Sequence, residues 1–545
     1  YPNGTVPKIN ANITDQSIGG GIRGKIANWD LDFSTVSGSN KFLFRMTDTH
    51  NATLGASSPV AFDAGGHSFK QATSNFDVSQ YFDNPRGLSG INVAFGAEYR
   101  FENYKIIPGT ELSYGNYDVN GNLVNPTTPS DMLTTDFLGR NRPSGAQCFA
   151  GFLPSNNVDA NRNSVGAYVD LEFDVTDDFY IGIAARAENY SDFGSTFNYK
   201  IAGRYTIGNN LNIRSAFSTG FRAPSLHQSH FSRTSTIFEL VNGVSVPQER
   251  GTFSNTSRAA KLLGIPNLKQ ETSNNFSAGI TAKLPGPGIK ITLDGYLIDI
   301  DDRVVLTGAF VPGEDPELQA IFQQAGAQSA TFFANAIDTR SRGIDAVISH
   351  SAIVGNDWIL TNDLAATFSQ NIWRRDITND DLADDDDRVV IDGIKASKLL
   401  QEKGLVGTYF NQESRIYLEE GVPRIKVTLG NTLDLGRISV YLRNSFFGAT
   451  TEATNEAIFT EDLELLPDAE IDPYNTPKII TDLSASYSFT DNLSVTIGAN
   501  NLLDVYPDVV DPAFTSSGRF IYSRRAPQFS FSGRHLFARV AFTLK

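Results

Sequence analysis

Carboxylates are the residues here best able to do chemistry, and the densest run of them is Asp376…Asp380-Asp381…Asp384-Asp385-Asp386-Asp387. Carboxylate oxygens so spaced suit a hard cation, which makes Asp384, Asp385, Asp386 and Asp387 the Ca²⁺ candidates. The run lacks the glycine at the sixth position and the closing glutamate of an EF-hand loop. A solvated external loop is the plainer reading of such a charge block. Other chemistries lack their parts. There is no G-x-S-x-G, no H-E-x-x-H and no phosphate-binding loop. One cysteine, Cys148, and six scattered histidines build neither a disulfide nor a zinc motif. The sequence implies no cofactor and no enzyme. With 61 acidic against 45 basic residues and a net charge of −16, it also lacks the basic surface that a nucleic-acid partner requires.

The basic residues that remain of interest sit at alternate positions of long period-two segments. From Leu88 to Glu102, Ile91, Val93, Phe95, Ala97, Tyr99 and Phe101 share one face, and Asn92, Glu98, Arg100 and Glu102 share the other. Val165, Ala167, Val169, Leu171 and Phe173 likewise face away from Tyr168, Asp170 and Glu172. Similar hairpins read at Phe197–Thr219, Ser273–Arg303, Arg340–Ser369, Arg424–Gly448 and Lys478–Leu502, with a last strand from about Gly533 to Leu544. Abundant Phe and Tyr with little Met suit β-structure. No stretch approaches the roughly 18 apolar residues of a spanning helix.

These strands read at roughly 10 to 14 residues, longer than the soluble mode of about 5 to 6. Their connections are expected to alternate strictly between short and long. The short ones include Ala27-Asn28, Thr176–Asp178, Ile207–Asn210, Leu284–Gly288, Leu435-Gly436 and Thr490–Asn492. The long ones include Tyr104–Arg162, Phe221–Thr272, Val304–Thr339, Ser369–Pro423, Ala449–Pro477 and Leu503–Ser532. Short periplasmic turns and long external loops are the habit of outer-membrane barrels. Residues 1–545 are therefore expected to be all-β, a transmembrane antiparallel β-barrel. Glu98, Arg100, Arg186, Glu188, Lys200, Arg204 and Arg214 are expected in its lumen, paired with one another or with a filling domain because buried charges must be paired. Roughly seventeen strands are legible, the first at about Thr14–Ile26. Bacterial barrels have even strand numbers. With an unprocessed leader absent before Tyr1, this parity predicts that the first strands are missing and the barrel is incomplete at its N-terminus.

Four motifs then resemble one family. Ser218-Thr219-Gly220-Phe221-Arg222-Ala223-Pro224-Ser225 resembles the FRAP-type motif of TonB-dependent outer-membrane receptors. Leu268-Lys269-Gln270-Glu271-Thr272-Ser273 resembles their LKPE-S motif, with Gln270 where proline is usual. Asn335-Ala336, followed by Thr339-Arg340-Ser341-Arg342-Gly343-Ile344-Asp345, resembles their NA…TRG…D segment, and Asn501-Leu502-Leu503-Asp504 their N-L-x-D motif. The segment around Gly145 to Asn163 is also similar, so the likeness spans nearly the whole chain. One departure is the end, where Phe542 is followed by Thr543-Leu544-Lys545.

The resemblance implies a barrel of about 22 strands filled by an N-terminal plug, located as a multi-pass protein in the outer membrane of a Gram-negative bacterium. It implies TonB-dependent import of a scarce solute: a siderophore-iron complex, a cofactor or an oligosaccharide. A passive porin or structural barrel is the alternative. The implied partners are outer-membrane lipid, a TonB-type energy-coupling protein reached through the plug, and a small-molecule or oligosaccharide substrate. Arg100, Arg186, Arg204 and Arg222 are the candidates for substrate contact. Arg222, at the external rim, belongs to a motif shared by family members with different cargo, which favours a structural role for it.

Overall fold

Alternation fixes the secondary structure. We describe a computed structural model covering residues 4–125, 127–137, 139–241, 244–325, 327–355, 357–382, 387–453, 474–510 and 520–544. Seventeen long strands follow one another: β1 (Lys8–Ile26), β2 (Trp29–Thr47), β3 (Ala61–Asp83), β4 (Gly90–Ile107), β5 (Val158–Thr176), β6 (Phe179–Tyr190), β7 (Gly194–Ile207) and β8 (Leu211–Arg222) lead. Then come β9 (Glu271–Leu284), β10 (Ile289–Leu306), β11 (Phe333–Val354), β12 (Trp358–Trp373), β13 (Ile425–Leu435), β14 (Ile438–Phe447), β15 (Lys478–Thr490), β16 (Leu493–Asn500) and β17 (His535–Phe542). Each pairs antiparallel with the one before it. A short hairpin, Arg388–Ile391 with Ile394–Ser397, joins the sheet through a single bridge between Ile337 and Ile394.

The two faces of this sheet sort by polarity. One cross-strand row reads Leu171, Ile183, Ile201, Phe217, Phe276, Leu297. Five of these six are among the exposed large apolar side chains, Ile201 at 51%. An apolar surface of that extent has no place in water; it is the lipid face of a barrel. No helix among the described residues is long and apolar enough to cross a membrane. The opposite face carries Glu98, Arg100, Arg186, Glu188, Lys200, Arg204 and Arg214, as expected for a lumen. The close-packed core lies elsewhere, in a cap at the long-loop end. There Phe253, Leu263, Phe310, Phe322, Phe332, Leu400 and Tyr409 form one buried cluster drawn from three loops.

Three expectations need correction. Connections do not alternate strictly, since β6 and β7 are joined on the long-loop side by residues 191–193 alone. Aromatic rings from the turn and from the adjoining strand ends close it: Tyr190 of β6, Phe193 and Phe221 of β8 pack together with ring centroids 4.4 to 6.4 Å apart. Strand lengths run from 8 to 23 residues rather than roughly 10 to 14; the longest, β3, keeps pairing on the long-loop side past the apolar rows. The first strand begins at Lys8 rather than near Thr14, and the last spans His535–Phe542.

The face assignment predicts an asymmetry between adjacent residues. Ile201→Arg, on the lipid face, should cost about 2–4 kcal/mol. Ala202→Arg, one residue along and facing the lumen, should cost under about 0.5 kcal/mol. Urea unfolding of the membrane-inserted protein measures both; equal losses would contradict the assignment.

Candidate functional site

The lumen wall is built from charges that meet across strands. Glu98 on β4 bonds Arg100 at 2.8 Å and reaches Arg186 on β6 at 3.4 Å. Arg186 also bonds Glu188 at 2.6 Å. Arg204 and Arg214 stand directly opposite each other on β7 and β8, an unfavourable pairing that two neighbours relieve. Arg214 forks onto Asp294 at 2.6 and 2.7 Å, and Arg204 lies 5.4 Å from the Tyr180 ring centroid. Side chains lie flat across this wall because glycine leaves room: a Cβ at Gly279 would sit 1.9 Å from Asp294 Oδ1. Lys200 is exposed on the same face, with no ion pair to it among the described residues.

At the long-loop end of the lumen the wall turns aromatic. His67 and Phe69 on β3 and Tyr104 on β4 are packed by a short helix, Leu226–His230, that folds inward from the β8–β9 loop. His227 places its ring centroid 4.2 Å from Tyr104, 5.4 Å from Phe69 and 6.2 Å from His67. Burial, then the neighbouring His67, holds the His227 imidazole below its ordinary pKa. Arg233 lies 3.6 Å from the Phe149 ring centroid, and burial pushes its guanidinium down to about 10. Aromatic faces with one desolvated guanidinium can stack a planar solute and attract an anionic one.

The helix is placed by the segment that precedes it. Ser225 caps it, accepting from Gln228 N at 3.1 Å while Gln228 Oε1 accepts from Ser225 N at 3.0 Å, a capping box that the sequence reading missed. Arg162, 3% exposed, donates to the Pro224 carbonyl at 2.7 Å and pairs with Asp192 at 2.7 Å.

Around this rim the motif residues engage one another. Arg222 Nε donates to Glu271 Oε2 at 2.8 Å, and a second nitrogen pairs with Oε1. Glu271 Oε1 also accepts from Val304 N at 2.7 Å. Asn335 accepts from Lys269 N at 2.8 Å and returns a bond to the Lys269 carbonyl at 3.1 Å. It donates to the Asp302 carbonyl as well, at 2.6 Å. Asn501 closes a turn onto Val505 through both its amide atoms, at 2.9 and 2.7 Å. Leu502 N donates to the Thr481 carbonyl at 2.7 Å, and Asp504 accepts from Arg534 N at 2.8 Å. Phe221 packs on Tyr190, and Leu268 is half-buried.

Gly343 gives way to Tyr296, whose hydroxyl would lie 2.5 Å from an added Cβ. Arg342 stands on the outer face and donates to Gln370 at 2.9 and 3.0 Å. Asp345 lies on the lumen face, opposite Asp294.

Asp384, Asp385 and Asp386 lie outside the described residues, and the Asp387 carbonyl accepts from Lys398 N at 2.9 Å. Among the described residues no group of three or more His, Cys, Asp or Glu is placed to hold a metal.

A model of the TonB dependent receptor-like β-barrel matches residues 3–502. The chain belongs to this family. Solved TonB-dependent receptors share its fold at low identity. The pyoverdine outer-membrane receptor FpvA from Pseudomonas aeruginosa is 13% identical, with a TM-score of 0.55, over 98% of this chain and 62% of that one. The FpvAI–pyocin S2 complex gives 13%, 0.54, 97% and 57%. The ferric enterobactin receptor PfeA from Pseudomonas aeruginosa gives 12%, 0.52, 99% and 71%. The chain thus spans about three-fifths of the length of the pyoverdine receptors. No curated protein matches the sequence.

In this TonB-dependent receptor barrel, the sequence missed a buried ion cluster in the cap. Lys395 of the short hairpin, 4% exposed, sits 2.7 Å from Asp338 and 3.3 Å from Asp302, which also binds Arg388 at 2.8 Å. Asp338 lies in the NA…TRG segment; nothing local to Lys395 signals that contact.

If Arg222 and Glu271 act as a rim staple, a double-mutant cycle of Arg222→Ala and Glu271→Ala should give a coupling of about 1.5–3 kcal/mol. Unfolding of the full-length protein measures it. Coupling near zero would contradict the staple.

Proposed function

We propose that this chain is the barrel of a TonB-dependent importer of a scarce solute in a Gram-negative outer membrane, and that it is not an enzyme. The match of the family model to residues 3–502 carries the reading. Capture would take place at the long-loop end, where the aromatic wall of Phe69, Tyr104 and His227 meets Arg233. Arg100 and Arg186 are held in ion pairs with Glu98 and Glu188, and Arg222 with Glu271. These three are better suited to rigidity than to cargo. Arg204, stacked on Tyr180 and exposed, is the stronger candidate for contact with a passing anionic solute. Siderophore-iron, cofactor and oligosaccharide cargo all fit such a lumen.

Barrel closure is the second part of the proposal. Among the described residues β1 pairs only with β2 and β17 only with β16. Both edges carry unpaired backbone groups, and such groups in hydrocarbon cost several kcal/mol each. Further strands lying between β1 and β17, with a plug in the lumen that contacts a TonB-type protein, would remove both edges and meet the lumen charges. The shorter span relative to the pyoverdine receptors supports this reading.

Planar-bilayer conductance of the full-length protein tests the reading. Near-zero conductance that opens reversibly in urea is the expected result, because a plugged barrel conducts only when its plug unfolds. Large steady conductance without urea would overturn active import in favour of a passive porin.

A further inference from the structure

The lipid face carries an unexpected strip of polar side chains. Even-numbered residues of β11 and β12 and odd-numbered residues of β13 point to lipid: Ile344, Phe368 and Ile425 form one cross-strand row, all exposed. On that same face His350 stands opposite Asn362, and Asn362 opposite Asn431. The three are joined. Asn362 Nδ2 lies 3.0 Å from His350 Nδ1, and Asn431 Nδ2 donates to Asn362 Oδ1 at 2.6 Å. Aliphatic side chains bound the strip along every strand: Ile348, Leu364 and Leu429 toward the rim, and Ala352, Leu360 and Leu433 toward the turns. The strip's own row continues on β14 and β15 as Leu442 and Leu483, while Thr481 donates to Asn444 at 2.8 Å in the row of Leu429. The bonded polar strip therefore crosses three strands, β11 to β13.

Polar side chains facing hydrocarbon are rare, and they serve as glue when a second membrane segment meets them. The internal bonds leave the strip half used. Asn362 Nδ2 is a donor only, so His350 Nδ1 accepts and the imidazole proton sits on Nε2. Among the described residues neither that Nε2–H nor Asn431 Oδ1 has a hydrogen-bond partner. The strip thus offers a donor at one end and an acceptor at the other. A two-fold axis along the membrane normal sets the strip of one copy against that of the other with its direction reversed, donor end toward acceptor end. The flanking leucines and isoleucines of both copies would pack around it.

We propose that the His350–Asn362–Asn431 strip is the contact through which two copies of this chain associate side by side in the membrane. Native mass spectrometry of the full-length protein, released from lipid nanodiscs, tests it. The wild type should be a dimer, and Asn362→Leu with Asn431→Leu should raise the dissociation constant at least about tenfold. Thr35→Val with Ser74→Ala removes another bonded pair, at 2.9 Å on β2 and β3, and should leave the dimer intact. Should the leucine variant not fold, Asn362→Cys in a Cys148→Ser background decides, since oxidation in the membrane should join two copies. A monomeric wild type, a leucine variant that dimerises like the wild type, a failure of Asn362→Cys to cross-link, or capture of a different protein in place of a second copy would each overturn the proposal.

Discussion

A peptide group in hydrocarbon has no water to bond, and an unpaired one costs several kcal/mol. A chain that crosses as strands must therefore pair every strand with neighbours inside the membrane. This chain does so in the simplest order, each strand with the one before it, so every pairing on the inner side needs only a short turn. Among the described residues the two outer strands, β1 and β17, pair on one side only. Once the backbone is paired, the pleat sends alternate side chains to lipid and to lumen. Polarity then has to be sorted at period two. The rows from Leu171 to Leu297, and the charges from Glu98 to Arg214, are consequences of that sorting.

The long loops follow from the same geometry at a larger scale. Strands that continue above the apolar rows become platforms on which loops build a water-soluble core of ordinary kind. Anchoring that cap to the barrel falls to buried polar contacts. Arg222 with Glu271, Asn335 with Lys269, and Lys395 with Asp338 all sit where a loop joins a strand. A buried charge that loses its partner is strongly destabilising, so such contacts fix loop position more sharply than apolar packing alone. Arg222, Glu271, Asn335, Lys269 and Asp338, which lie in the segments by which the chain resembles the family, serve here as anchors.

What the sequence made legible was what depends on local periodicity. The alternation of Leu88–Glu102 and Val165–Val175 showed which residues share a face. Contacts between residues far apart in the chain could not be read. Asn335 and Lys269 are 66 positions apart, and nothing local in either says that they meet. The three-residue turn at 191–193 was hidden for a related reason, since its Phe193 packs on Phe221 of β8, a residue far along the chain. The strand extension Lys8–Ile13 was missed because Asn10 and Asn12 make its polar face resemble a loop. His350, Asn362 and Asn431 each look like single exceptions in their own strands, and only the cross-strand register makes them neighbours.

The central claim is that successive residues of these strands face lipid and lumen in turn. A cysteine scan of β7 from Phe197 to Ile207 in a Cys148→Ser background, spin-labelled in bilayers, tests it most directly. Accessibility to oxygen, which concentrates in lipid, and to a water-soluble nickel chelate should both oscillate with period two. The account predicts opposite phases, with oxygen peaking at residues 197, 199 and 201 and the chelate at 198, 200 and 202. In-phase oscillation, or none, would contradict it.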